Sequence, residues 1–440
     1  MISRTALRGI RRLLSALDSP WRHLLVGMLA GVLGALAVEA FRALLFALEM
    51  GFVGARDGHL VPAAQQLDPE IRLLVPVIGG PAAGLLLWLA EGGHSGKPSS
   101  SRGDYIEAVA IGDGRLDPHG GMLKILASLL VVSTGGAVGR EGAMVLLAAM
   151  ASSFFGRLAG STVELRPMVS CGAAAGLAAA YHTPLAGAVF VAEILLGSLA
   201  LSQFGPVVVA AVVSHGITIA LVGSTVLFPM TPAPALGAAQ IMVVLALAPI
   251  SGIAGAALLR WLELARRSFV KLALPLPLPL MLGGFVVGLL SLWRPEVWGN
   301  GDSGIRQQIS GSGAWQEVAL VLALKLLAVA ATTGSGAPGG VFTPTLFVGA
   351  AFGALLAAAL AALGFTGATE PVYAVLGMAT LLAGTTHAPV MAALMVSEMT
   401  GQYGLLTVFL PACVVATLVS QHLHPKSVYG LGAGCAEPES

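Results

Sequence analysis

Charge is absent from long stretches of this chain. No Asp, Glu, Lys or Arg occurs from Leu73 to Ala90, Pro167 to Ala192, Ile194 to Leu259, Leu326 to Thr369, Pro371 to Ser397 or Met399 to Pro425. A helix needs about 20 apolar residues to cross a hydrocarbon core, so each run offers membrane-spanning structure. Glycine and proline interrupt the runs, as in GSGAPGG (Gly334 to Gly340) and PMTPAP (Pro229 to Pro234). The predicted helices are therefore short, tilted or broken. Irregular backbone at membrane depth is tolerated only where protein buries it or water lines it, so the breaks point to a transport path. Isolated glycines such as Gly27 and Gly31 read instead as small residues for close helix packing.

The same pattern occurs twice. Gly31 and Gly34 in AGVLGA return as Gly252 and Gly255 in SGIAGA, an offset of 221. Gly79, Gly80 and Gly84 in VIGGPAAGLLLWL return as Gly283, Gly284 and Gly288 in MLGGFVVGLLSLW, an offset of 204. Lys124 matches Lys325, and TGGAVGREGAM runs against SGAPGGVFTPT, both at 201. YHTPLAGAVFVAE (Tyr181 to Glu193) matches THAPVMAALMVSE (Thr386 to Glu398) at 205. Elements in one order at nearly constant spacing imply duplication. The division is a segment 1–22, a first transmembrane repeat 23–235, a second 236–429 and a short tail 430–440. The larger first offset places an extra loop in the polar segment Gly51 to Arg72.

Basic residues suggest how the halves are oriented. Arg4, Arg8, Arg11, Arg12 and Arg22 precede the first apolar span, which puts the N-terminus in the cytoplasm by the positive-inside rule. In the second half Arg260, Arg266, Arg267 and Lys271 follow the equivalent span instead. If both clusters face the cytoplasm the halves are inverted, and inverted repeats place their substrate site near the midplane.

Composition agrees with a membrane protein: 56% of the 440 residues are hydrophobic and 10% charged, against about 25% charged in a soluble domain. The net charge of +1 adds nothing. The first apolar region is too long for a signal-peptide core and is expected to be retained. Cys171, Cys413 and Cys435 have neither metal-ligand spacing nor a disulfide framework.

Against this background GGAVGREGAM, Gly135 to Met144, stands out for Arg140 and Glu141 between apolar runs. At offset 201, Gly139-Arg140-Glu141-Gly142 lies on Gly340-Val341-Phe342-Thr343. Each break precedes an apolar run, so each presents a helix start whose free N–H groups and positive partial charge suit an anion. Two such starts brought together by inverted symmetry suit a chloride-sized ion better than a metal cation, which needs inward-pointing oxygens. A structural reading competes, a local pair between Arg140 and Glu141, although adjacent helical residues do not face each other.

GREG (Gly139 to Gly142), GGVFTP (Gly339 to Pro344), PLAGAVFVAE (Pro184 to Glu193), SEMTGQY (Ser397 to Tyr403) and Tyr429 resemble the CLC family of chloride channels and proton-coupled chloride transporters, over nearly the whole chain. The resemblance implies an all-α integral membrane protein built as an inverted repeat of two halves with many short, tilted and broken helices. It implies a homodimer with a pore in each subunit, in the bilayer of a bacterial inner membrane. Glu141 would be the gate, a carboxylate that occupies an anion site and leaves when protonated. Val341 and Phe342 would give backbone N–H groups to the ion, Tyr429 its hydroxyl, and Arg140 positive potential at the outer entrance. Gly139, Gly142 and Gly340 would shape the anion-binding loops. The family implies chloride, other small anions and protons as partners, with no cofactor, metal or nucleic acid, and with the short tail 430–440 no CBS-type regulatory domain is expected.

Two departures bear on mechanism. Where family members carry a serine loop of GSGIP type, this chain reads SSSRGDYIEA; Ser101 falls nearest the ion-binding serine, without the motif around it. Where proton-coupled members have two consecutive glutamates, Glu193 is followed by Ile194. That favours channel-like or weakly proton-coupled chloride flow, an electrical shunt during acid stress, over a proton-coupled antiporter. An intramembrane enzyme is the different-class alternative; no nucleophile and base pair, paired aspartates or H-E-x-x-H supports it. A cation-coupled solute transporter is a third reading. His182 and His387 read as residues orienting helix breaks, Lys124 and Lys325 as snorkelling or neutralising carboxylates, and Glu193 and Glu398 as braces.

Overall fold

The computed structural model describes residues 18–55, 60–90, 105–110, 112–159, 164–197, 201–223, 226–231, 236–311, 313–365 and 370–430. Ser101 and Arg4 to Arg12 lie outside them. Apart from one isolated bridge, the described regular structure is helical. Eight helices are long and apolar enough to cross a membrane among the described residues, and shorter apolar helices lie between them.

The first half holds α1 (Ser19–Val53), α2 (Leu60–Gln66), α3 (Pro69–Ala90), α4 (Tyr105–Ala110), α5 (Pro118–Ser133), α6 (Glu141–Ala159), α7 (Leu165–Tyr181), α8 (Pro184–Phe190, continued by a π-helical turn Val191–Leu196) and α9 (Leu201–Val222). The second holds α10 (Ala238–Lys271), α11 (Pro277–Ser291), α12 (Asp302–Ser310), α13 (Trp315–Gly334), α14 (Phe342–Ala362), α15 (Glu370–Thr386), α16 (Pro389–Thr400) and α17 (Leu406–Leu423). The short helix α2 occupies the segment expected to be the extra loop.

The described residues form two compact units, one falling within 1–42, 99–122 and 144–227, the other within 43–98, 123–143 and 228–440. In the first unit, α1 lies so close to α9 that a Cβ on Gly31 would sit 2.6 Å from the Ala210 carbonyl oxygen and 3.0 Å from Val213. The second unit repeats this with α10 and α17: a Cβ on Gly252 would sit 2.6 Å from the Ala416 oxygen and 2.8 Å from Val419. Side-chain hydroxyls then bond carbonyls in the same places, Ser214 to Ala175 at 2.8 Å and Ser420 to Gly384 at 2.6 Å. Close backbone approach needs small residues, which is why the glycine pattern repeats with the fold.

Within the second unit, α3 and α11 cross through their glycine pairs. A Cβ on Gly80 would strike the Leu280 carbonyl and one on Gly284 the Pro76 carbonyl. Two further breaks are marked by histidine. His182 after α7 and His387 after α15 both have φ 59°, and Pro184 and Pro389 open the next helices. A non-glycine residue in the left-handed region ends a helix, and proline at a helix start fixes the new direction. The expectation that these histidines orient breaks holds.

Candidate anion site at two paired helix starts

The site lies within the second unit. Helix α5 ends at Ser133 and α13 at Gly334, and each is followed by a glycine with positive φ, Gly135 at 92° and Gly336 at 88°. The chain then turns into α6 at Glu141 and α14 at Phe342. Where the breaks meet, Gly139 N–H donates to the Gly340 carbonyl at 2.6 Å and Gly340 N–H to the Gly139 carbonyl at 2.7 Å. These two N–H groups are thus used on each other, and the glycines join the breaks. Thr332 adds a tie from α13, its hydroxyl accepting the Ala137 N–H at 3.2 Å.

Glu141, 5% exposed, is the first residue of α6. Its carboxylate accepts a hydrogen bond from the Thr343 hydroxyl of α14 at Oε1. Any side chain at Gly139 would take the place of Oε2, and a Cβ on Gly340 would come within 2.9 Å of the same oxygen. The carboxylate is therefore folded back over the paired glycines, between two helix starts. A helix leaves its first four N–H groups without intrahelical partners, and these with the macrodipole stabilise an anion by about 0.3–2 kcal/mol per helix end. Oε2 is buried without a hydrogen-bond partner among the described residues.

Arg140 does not pair with Glu141. Its guanidinium lies 3.7 Å from Asp302 at the start of α12, both half-buried, and the buried Glu49 of α1 is within electrostatic reach of both. Val341 precedes α14 and Phe342 opens it, half-buried and buried respectively. Gly142 sits at the second position of α6, where a Cβ would lie 3.7 Å from the Gly340 nitrogen. Tyr429 is half-buried on the segment after α17, which is tied back by the Val428 N–H donating to the Thr385 carbonyl at 2.9 Å. Glu193 and Ile194 lie in the π-helical turn after α8.

Lys325 departs from the sequence expectation. It neither snorkels nor meets a carboxylate: fully buried, it donates to the carbonyls of Val297, Trp298 and Gly299 at 2.8, 3.1 and 2.7 Å. Its repeat partner Lys124 is only half-buried. Nothing local in the sequence marks Thr343, Asp302 or Trp298, each an ordinary residue far along the chain from Glu141. The only available signal was Thr343's place one residue after the partner of Glu141 in the repeat. No group of three or more His, Cys, Asp or Glu residues able to hold a metal occurs among the described residues.

Residues 79–421 match the family described as Voltage gated chloride channel. The Voltage-gated ClC-type chloride channel ClcB of Salmonella dublin is 46% identical over 414 residues, 93% of this chain and 98% of the relative. The protein of that name from Escherichia coli (strain SMS-3-5 / SECEC) is 44% identical over 412 residues, with the same coverage. Among solved structures, a slow cyanobacterial Cl-/H+ antiporter superposes with a TM-score of 0.79 at 22% identity, covering 92% of this chain and 96% of that one. A CLC-type fluoride/proton antiporter superposes at 0.71 and 23% identity, covering 98% and 99%. At such identities the superpositions establish the shared fold.

Proposed function

This chain belongs to the CLC family of voltage-gated chloride channels, and from that membership and the seat of Glu141 we propose that it passes chloride across the membrane along a path that Glu141 gates. Membership makes it a multi-pass membrane transport protein rather than an enzyme. The observation that carries the gate is the buried carboxylate folded over the Gly139–Gly340 pair, where two helix starts come together. A carboxylate tethered there is itself an anion competing for an anion site. Protonation removes its charge and so its hold, which makes opening acid-dependent.

Chloride reaching that place takes its donors from the helix starts, including the N–H groups of Gly142, Val341 and Phe342, and from the Tyr429 hydroxyl, while Arg140 adds positive potential beside it. Ile194 leaves an apolar side chain where a proton acceptor would serve exchange, which supports channel-like or weakly coupled flow. Such a conductance would act as an electrical shunt in acid, with other small anions as further substrates. The two repeats, 23–235 and 236–429, are taken as an inverted pair with a cytoplasmic N-terminus, in a homodimer.

Purified protein in chloride-loaded vesicles tests this. Valinomycin-dependent chloride efflux is expected, and its absence would reject chloride transport. A proton-sensitive dye in the same vesicles tests the mode: uphill proton movement driven by a chloride gradient would replace the channel-like reading with antiport.

A further inference from the structure

The grip of Lys325 has a use beyond burial. A protonated amine has three donors and no acceptor, and three carbonyls take all of them. The ammonium also lies 5.9 Å from the Phe347 ring centroid, a cation–π contact. The three carbonyls belong to the end of a short turn, Pro295–Val297, and the residues just after it. That segment leans on the first break. The fully buried Trp298 ring packs over Gly135 closely enough that a Cβ there would come 2.5 Å from it, and Gly299 N–H donates to the Gly135 carbonyl at 3.3 Å.

The same segment continues to Arg140. Asn300 donates from Nδ2 to one oxygen of Asp302 at 3.0 Å, and the other oxygen lies 3.7 Å from the Arg140 guanidinium. Gly301 and Gly304 let the segment press against Phe347, the ring beside the ammonium. Lys325 is therefore connected by a continuous set of contacts to two points of the motif that carries Glu141, the Gly135 turn before it and Arg140 next to it.

We propose that Lys325 is a positioning residue for the gate: by holding the carbonyls of Val297, Trp298 and Gly299 it fixes the segment that seats the Gly135 turn and Arg140, and through them Glu141. The proposal rests on the reading of Glu141 as the gate. Its repeat partner Lys124 is not enclosed in this way, so the device belongs to one half of the duplication.

The test is a double-mutant cycle in vesicles, reading valinomycin-dependent chloride efflux at acid and at neutral pH for the unaltered protein, Glu141→Ala, Lys325→Met and the pair. Lys325→Met is expected to lower the acid-to-neutral flux ratio about tenfold while Glu141 is present, and to change it less than about twofold once Glu141 is alanine, the coupling expected of residues in one contact network. Efflux that falls equally at both pH values, leaving the ratio unchanged while Glu141 is present, would show Lys325 serving only the fold and would overturn the proposal. If Lys325→Met does not purify as a monodisperse protein, the cycle is read on Asp302→Asn, a half-buried change that cuts the last link to Arg140. A ratio that Asp302→Asn leaves unchanged would equally overturn it. Acid dependence that survives in Glu141→Ala alone would reject the gate reading, and the positioning role with it, without reference to either other variant.

Discussion

The two glycine breaks, 134–140 and 335–341, follow one backbone plan and do different things with it. Each follows a helix end and turns at a glycine near φ 90°, each contributes one glycine to the reciprocal pair, and each starts a long apolar helix. In the first, every residue from Val131 to Gly139 is buried, Trp298 closes over Gly135, and the helix opens on Glu141. In the second, Gly336 and Gly339 are exposed, nothing lies within 4 Å of a Cβ at Gly336, and the helix opens on Phe342. One copy is braced and carries a charge; the other is open and neutral. A charge at membrane depth is unfavourable by about 2.5–3.5 kcal/mol or more, so it requires a fixed and solvating seat; the braced copy fixes it and the other copy lends the Thr343 hydroxyl.

Removing the charge makes the copies alike and has the largest expected effect. Glu141→Ala should abolish the acid dependence of chloride efflux and keep the efflux itself, read in vesicles across an acid-to-neutral series. Loss of efflux at every pH would show that Glu141 belongs to the path and not to its gate.

The next comparison is steric. Gly135→Ala must place a methyl group against the Trp298 ring in a backbone conformation that alanine resists, a loss of about 3 kcal/mol or more. Gly336→Ala meets only the backbone strain, about 1–2 kcal/mol. Thermal unfolding in detergent should therefore separate the pair clearly; equal losses would show that the first break is not braced as described.

Thr343→Val tests the link between the copies. It removes the donor to the Glu141 carboxylate and leaves the volume nearly unchanged. A hydrogen bond to a charged group contributes about 1.5–3 kcal/mol, so efflux at neutral pH should rise about tenfold as the carboxylate loses its seat. Efflux unchanged at neutral pH would mean that Thr343 does not hold the gate.

The smallest effect concerns the other paired feature. His182→Gly and His387→Gly relieve the same positive φ and should each change stability by less than about 1 kcal/mol, measured by the same unfolding assay. A large loss at only one would expose a role beyond ending a helix, and the edge-on approach of His215 to His182, 5.9 Å between ring centroids, makes that position the one to watch.

Much of the architecture was legible in the chain. Uncharged runs marked the membrane helices because hydrocarbon excludes charge, and glycine and proline marked the breaks because few other residues permit them. The offset of 201 placed equivalent helix starts at Glu141 and Phe342, and both helices begin there. GREG and GGVFTP pointed to the family because the loops they build are local in sequence. What the chain did not disclose was the set of contacts between distant residues: Thr343 with Glu141, Asp302 with Arg140, Trp298 over Gly135. Lys325 reads from its apolar sequence neighbours as a cation that snorkels or neutralises a carboxylate. Its three acceptors lie 26 to 28 residues away in the chain.

The sequence by itself determined the membrane class, the recurring glycine pattern and the places where helices stop and start, since hydropathy and backbone freedom act over a few residues. The tertiary structure alone decided that the two breaks bond to each other, that Glu141 lies over that junction, and that one copy is braced by a buried lysine. Those features depend on carbonyls, hydroxyls and rings meeting across the fold, where the charge is solvated by groups that no stretch of sequence brings together.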